Sequence, residues 1–123
     1  MLVCIAGVAI PRHAFAQAAH QHTQSMWVTV RRYEGIPDAG KAARLVGDTW
    51  IPIISKIPGF IEYFWVDAGN GVMVSTSVFQ TKAGEEESNT KVKQWRLSNP
   101  EAIAALPNPP QITAGKVVAY KES

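Results

Sequence analysis

The strongest constraint on this chain is residues 60–80, FIEYFWVDAGNGVMVSTSVFQ, two runs rich in aromatic and β-branched residues separated by a glycine-rich break. Such runs favour extended backbone, and the Asn70-Gly71 pair favours the tight reversal of an antiparallel hairpin. Both strands are apolar on both parities, with Phe60, Phe64 and Val66 opposed by Ile61, Tyr63 and Trp65. A sheet with one wet face alternates apolar and polar residues, so each face here must be covered. Helices on one side and a partner sheet on the other satisfy that requirement.

The rest of the chain supplies the remaining elements. Residues 26–34, MWVTVRRYE, read as a first strand, which Gly35-Ile36-Pro37 ends. Asp38 sits where an N-cap belongs. Over residues 39–57, Ala42, Leu45, Val46, Trp50, Ile53, Ile54 and Ile57 recur at helical spacing, and Pro52 predicts a kink or an early end near Trp50. A second helix is expected over residues 83–98, where the run Glu85 to Glu87 suits a solvated first turn. Asn99-Pro100 opens a short extra helix to residue 106, and residues 112–120 alternate through Val117, Val118 and Tyr120 as a fourth strand. The order is β-α-β-β-α-β. That predicts an α+β, ferredoxin-like fold with an antiparallel four-stranded sheet, paired with a second copy through the sheet.

Length and composition exclude several classes. The chain has 123 residues, 46% hydrophobic and 18% charged, enough for a single core and no second domain. A net charge of +2 with no basic run longer than Arg31-Arg32 gives no footprint for nucleic acid. Cys4 is the only cysteine, so an internal disulfide and a cysteine-zinc site are excluded.

Residues 1–24 read as an export signal and leader, and residues 25–123 as the domain. Leu2 to Ile10 is apolar, and Ala14-Phe15-Ala16 has the small-x-small spacing of a cleavage site, placing the mature start near Gln17. A positive n-region is missing after Met1. The location is therefore periplasmic or secreted if the signal is real, and cytoplasmic if the segment is only an extension. The apolar stretch is shorter than the about 20 residues needed to span a bilayer, so stable membrane insertion is not expected. His20-x-His22 lies in the polar leader without further ligands, and reads as solvated linker.

The segment Ile57-Pro58-Gly59-Phe60 entering a strand with Tyr63, the glycine turn, and Ser75-Thr76-Ser77-Val78-Phe79 before a helix resemble the antibiotic biosynthesis monooxygenase-like domains. The likeness spans residues 26–120. It implies ferredoxin-like protomers that pair through their sheets into a dimeric α/β barrel with a pocket in each protomer. It also implies oxidation of polycyclic aromatic compounds without metal or flavin in some members, and haem degradation in others. Haem cleavage in that branch uses a histidine on the second helix, and residues 83–98 contain none. No cofactor or metal is expected.

Cofactor-free oxygenation needs a substrate able to become a carbanion, a polar group that helps deprotonate it, and a dry aromatic pocket. If the odd parity faces the barrel interior, Trp27, Arg31, Tyr63, Trp65, Ser75 and Ser77 line it, with Asn89 or Trp95 reaching in from the second helix. Tyr63 and Arg31 are then the candidate catalytic groups, as proton relay and anion holder. Trp27, Trp65, Ser75, Ser77, Asn89 and Trp95 are the candidate substrate contacts. Serine-triad chemistry is excluded, because all three histidines (His13, His20 and His22) precede the domain. Two functions follow: a possible cofactor-independent monooxygenase acting on a small aromatic or quinone-like compound, or a non-enzymatic dimeric ligand-binding or stress-associated protein.

Overall fold

The computed structural model describes residues 26–123. The export signal, Cys4 and the His20-x-His22 leader lie outside the described residues. The elements run β1 (Trp27–Tyr33), α1 (Ala39–Leu45), a π-helical turn (Val46–Trp50), α2 (Ile51–Ile54), β2 (Phe60–Gly69), β3 (Val72–Phe79), α3 (Lys82–Ser98), α4 (Pro100–Ala105) and β4 (Gln111–Lys116). The four strands form one sheet in the order β2-β3-β1-β4, with every adjacent pair antiparallel. This is the α+β ferredoxin-like arrangement that the hydrophobic pattern predicts. Among the described residues, no helix is long and apolar enough to cross a membrane.

The hairpin turns on Asn70 and Gly71, both at positive φ (54° and 75°), the conformation of a two-residue reversal that matches strand twist. The Ile36 N–H donates to the Gly71 carbonyl at 3.0 Å and ties the turn to the end of β1. Register shifts occur between Phe60 and Glu62 and between Asp67 and Gly69. The first inserts Ile61 and reverses parity, so Phe60 lies on the same face as Tyr63 and Trp65. Part of the two-sided apolar pattern therefore comes from a bulge.

Pro52 does not end the first helix near Trp50, which corrects that part of the sequence expectation. Proline has no N–H to offer the Asp48 carbonyl, and the backbone absorbs the loss just upstream by widening into the π turn. There the Ile51 N–H reaches back to the Val46 carbonyl, and Thr49 Oγ1 donates to the Leu45 carbonyl at 2.7 Å. The helix ends at Ile54, tightening through Lys56 to Ile53 and Ile57 to Ile54 bonds before Pro58.

The fourth strand also differs from expectation. It spans Gln111–Lys116 and leaves Val117, Val118 and Tyr120 beyond it. Lys116 pairs with Trp27, the first residue of β1, so the strand has run out of partner, and Val117 makes one last bond to the Met26 carbonyl at 2.8 Å.

The helices cover one face of the sheet. Tyr33, Met73 and Phe79 from the strands meet Ala42, Val46, Trp50, Ile54, Val92, Trp95 and Leu106 from the helices in one buried cluster. On the opposite face Phe64 and Val66 are about half exposed (51% and 48%).

Candidate functional site

Strand alternation places one parity of β1 and β3 towards the helices. Arg31 pairs with Ser75, which pairs with Trp65, and Thr29 pairs with Ser77, which pairs with Tyr63, giving two adjacent cross-strand rows. Thr29, Arg31, Ser75 and Ser77 are all at most 1% exposed. The odd-parity residues thus do share a face, but that face is roofed by α3. Their site lies between sheet and helix within the protomer, and the even face is the one left open. The sequence left the direction of this parity open, and the helical core of α1, α2 and α3 turns it towards the helices.

Helix α3 is seated unusually close. Thr81 caps it, accepting from the Gly84 N–H at 3.1 Å. A Cβ on Gly84 would stand 2.8 Å from the Pro58 carbonyl oxygen and 3.0 Å from the Phe79 ring, so only glycine allows this approach. The next residue, Glu85, is carried into the layer and is 5% exposed. Thr29 Oγ1 donates to Glu85 Oε2 at 2.6 Å, and Asn89 Nδ2 donates to the same oxygen at 2.7 Å. The solvated first turn expected for this acidic run holds for Glu86 and Glu87, which are exposed, and fails for Glu85.

Asn89 then joins two charges. While its amide nitrogen donates to Glu85, its Oδ1 accepts from Arg31 Nη2. Arg31 also donates to Ser88 Oγ at 3.2 Å and to Ser77 Oγ at 3.4 Å, and Ser88 donates to the Glu85 carbonyl at 2.6 Å. Every hydrogen-bond partner of this buried guanidinium is therefore a neutral oxygen. Burial lowers the Arg31 pKa, opposed by the nearby Tyr33, Tyr63 and Glu85. Arg31 Nε and the indole Nε1 of Trp65 are shielded and have no hydrogen-bond partner among the described residues.

Tyr63 hydrogen bonds through its side chain with Ser75 and Trp50, and burial raises its pKa far above the usual tyrosine value. It is held as a neutral hydroxyl. Tyr33 is likewise raised, first by burial, and its ring lies 5.4 Å from Trp65, tilted by 56°. Trp27 sits at the end of the same face with Lys82 Nζ 5.7 Å from its ring centroid. Trp95 belongs to a different group: it packs on Trp50 at 5.6 Å and donates its indole N–H to Thr49 Oγ1 at 2.9 Å, as a core residue does.

Of the residues predicted from sequence, Arg31, Ser77 and Asn89 meet directly, and Tyr63, Ser75 and Trp65 occupy the adjoining rows. Sequence reasoning missed Thr29, Glu85, Ser88 and Tyr33. The signal that could have revealed Glu85 is the adjacent Gly84, since a glycine in a helical first turn marks a close approach. Among the described residues, no cluster of histidine, cysteine or acidic side chains could hold a metal.

A search of the solved structures finds this architecture repeatedly. A Streptomyces coelicolor monooxygenase, solved in complex with nanaomycin D, superposes at a TM-score of 0.61 with 12% identity, covering 81% of this chain and 94% of that one. The chain has the antibiotic biosynthesis monooxygenase fold. A Caulobacter crescentus protein provisionally assigned to the antibiotic biosynthesis monooxygenases matches with a TM-score of 0.61 and 14% identity, over 84% of this chain and 99% of its own. A Nitrosomonas europaea protein of unknown function matches with a TM-score of 0.61 and 20% identity, over 82% and 97%. A scan against protein-family models finds no match, and neither does a search of the curated proteins. Likeness at these identities speaks for the shared fold, and the chemistry has to be argued from the residues.

Proposed function

We propose that the chain is a homodimeric, cofactor-independent oxygenase that takes a small aromatic or quinone-like compound into the layer between the sheet and α3. The observation that carries this reading is the buried polar cluster of Arg31, Asn89, Glu85 and Thr29. Apolar residues of the same volume are often as stabilising as buried charges, or more so, and a lone buried cation is expensive. Stability alone therefore does not account for keeping the whole cluster in a domain this small, which argues for use. The two unpartnered N–H groups, on Arg31 and Trp65, call for acceptor oxygens such as those of a phenol, quinone or enolate. Tyr33, Tyr63 and Trp65 supply aromatic walls, and Tyr63, kept protonated by burial, serves as a donor.

Pairing of two copies through the open sheet face would cover Phe64 and Val66. A second reading, ligand binding without turnover, draws support from the shielding of both unpartnered N–H groups, because a substrate must displace α3 slightly to reach them.

Oxygen uptake by the purified protein with anthrone- and quinol-type compounds tests the proposal. Uptake that falls at least tenfold in Arg31→Ala and Tyr63→Phe supports it. Uptake unchanged by both substitutions rejects this site, and binding without uptake leaves the second reading.

A further inference from the structure

Oxygenation without a cofactor begins with removal of a proton, and the sequence offered no base because the domain has no histidine. The structure offers one at a position that reads as solvent-facing. Glu85 is the one buried acidic side chain among the described residues. Its two hydrogen bonds, from Thr29 and Asn89, both fall on Oε2, and none of the described residues bonds Oε1. The two donors hold the carboxylate in a fixed orientation. They leave one oxygen to act.

We propose that Glu85 is the general base of this site. The inference rests on the reading of the layer as a substrate site, and it concerns the proton step alone. A weakly acidic C–H or O–H of the bound compound breaks, its proton passes to Glu85 Oε1, and the electron pair stays on the substrate as an enolate or phenolate. The negative charge thus moves from carboxylate to ligand. Arg31, joined to Glu85 through the Asn89 amide, stands across the bridge to receive it, with Nε unengaged. Neither of the alternatives in the layer suits the role. Arg31 is a cation, and Tyr63 is held protonated by burial.

The other titratable groups in the layer are Arg31 and Tyr33 on β1 and Tyr63 on β2, which interact with one another and, through Arg31, with Glu85. From the remaining helices, Asp48 and Lys56 line outer clefts, and on α3 itself Glu86 and Glu87 are exposed.

The test is deuterium exchange of the methylene protons of anthrone, followed by NMR without oxygen, so that it does not depend on turnover with oxygen. The full-length wild type should accelerate exchange over buffer. Glu85→Gln, which keeps the shape, should lose about 100-fold, the low end for a general base. Thr29→Val removes one of the two donors that orient the carboxylate and should slow exchange by about tenfold. Exchange in Glu85→Gln equal to wild type overturns the inference, as does a wild type no faster than buffer. Exchange intact but oxygen uptake absent supports Glu85 as the base while defeating the oxygenase reading.

Discussion

Replacing Asn89 with alanine removes the amide that links Glu85 to Arg31, and its cost can be worked from the bonds it makes. Asn89 donates to Glu85 Oε2 at 2.7 Å and accepts from Arg31 Nη2, so both bonds involve a charged partner. A hydrogen bond to a charged group contributes about 1.5–3 kcal/mol, which gives about 3–6 kcal/mol for the two. Asn89 is only partly buried, so water can enter and satisfy part of what is lost, and a net loss of about 2–4 kcal/mol is expected. For a domain of this size that corresponds to about 8–16 °C in the melting temperature. Urea unfolding at one fixed protein concentration measures it, with the midpoint falling and the slope unchanged. A loss below about 1 kcal/mol would mean that the bridge is not an energetic link, and the argument from its cost would fail.

Gly84→Ala should destabilise by about 1–3 kcal/mol, because the new Cβ meets the Pro58 carbonyl at 2.8 Å and backbone has to move; a neutral urea midpoint would contradict the close seating of α3. Tyr33 and Tyr63 have pKa values raised above the usual 10.0, so the folded state holds their protons more tightly than the unfolded state. Their contribution is complete below pH 10.0 and declines as pH rises above it, and Tyr63→Phe should flatten that decline in urea midpoints measured from pH 9 to 12. Phe64→Glu places a charge on the open sheet face and should yield a monomer by sedimentation while the wild type is a dimer; a monomeric wild type rejects the proposed pairing.

The fold was legible where local chemistry and global pattern agree. Asn70-Gly71 specified the hairpin, Asp38 and Asn99 occupy the helix caps read from the sequence, and the antiparallel sheet followed from strand composition. What escaped depends on the three-dimensional context of single residues. Ile61 reverses strand parity through a bulge that periodicity alone does not register. Pro52 leaves the helix continuous because the shift to a π turn happens before it. Glu85 sits in an acidic run whose average behaviour is to be solvated, and only the absence of a Cβ on Gly84 lets the helix bring it inside. Arg31 and Asn89 were recognisable as polar residues on promising faces, but the bridge between them required knowing that α3 roofs the odd parity of the sheet.

The most direct test of a functional layer between the sheet and α3 is a nitrogen-15 NMR titration of the full chain with a hydroxyanthraquinone. Arg31 Nε–H and Trp65 Nε1–H each give their own resonance, and neither has a partner among the described residues. Shifts that concentrate on these two groups and on the Asn89 amide are the predicted result. Shifts confined to the open face around Phe64 and Val66, or no shifts at all, would contradict the account.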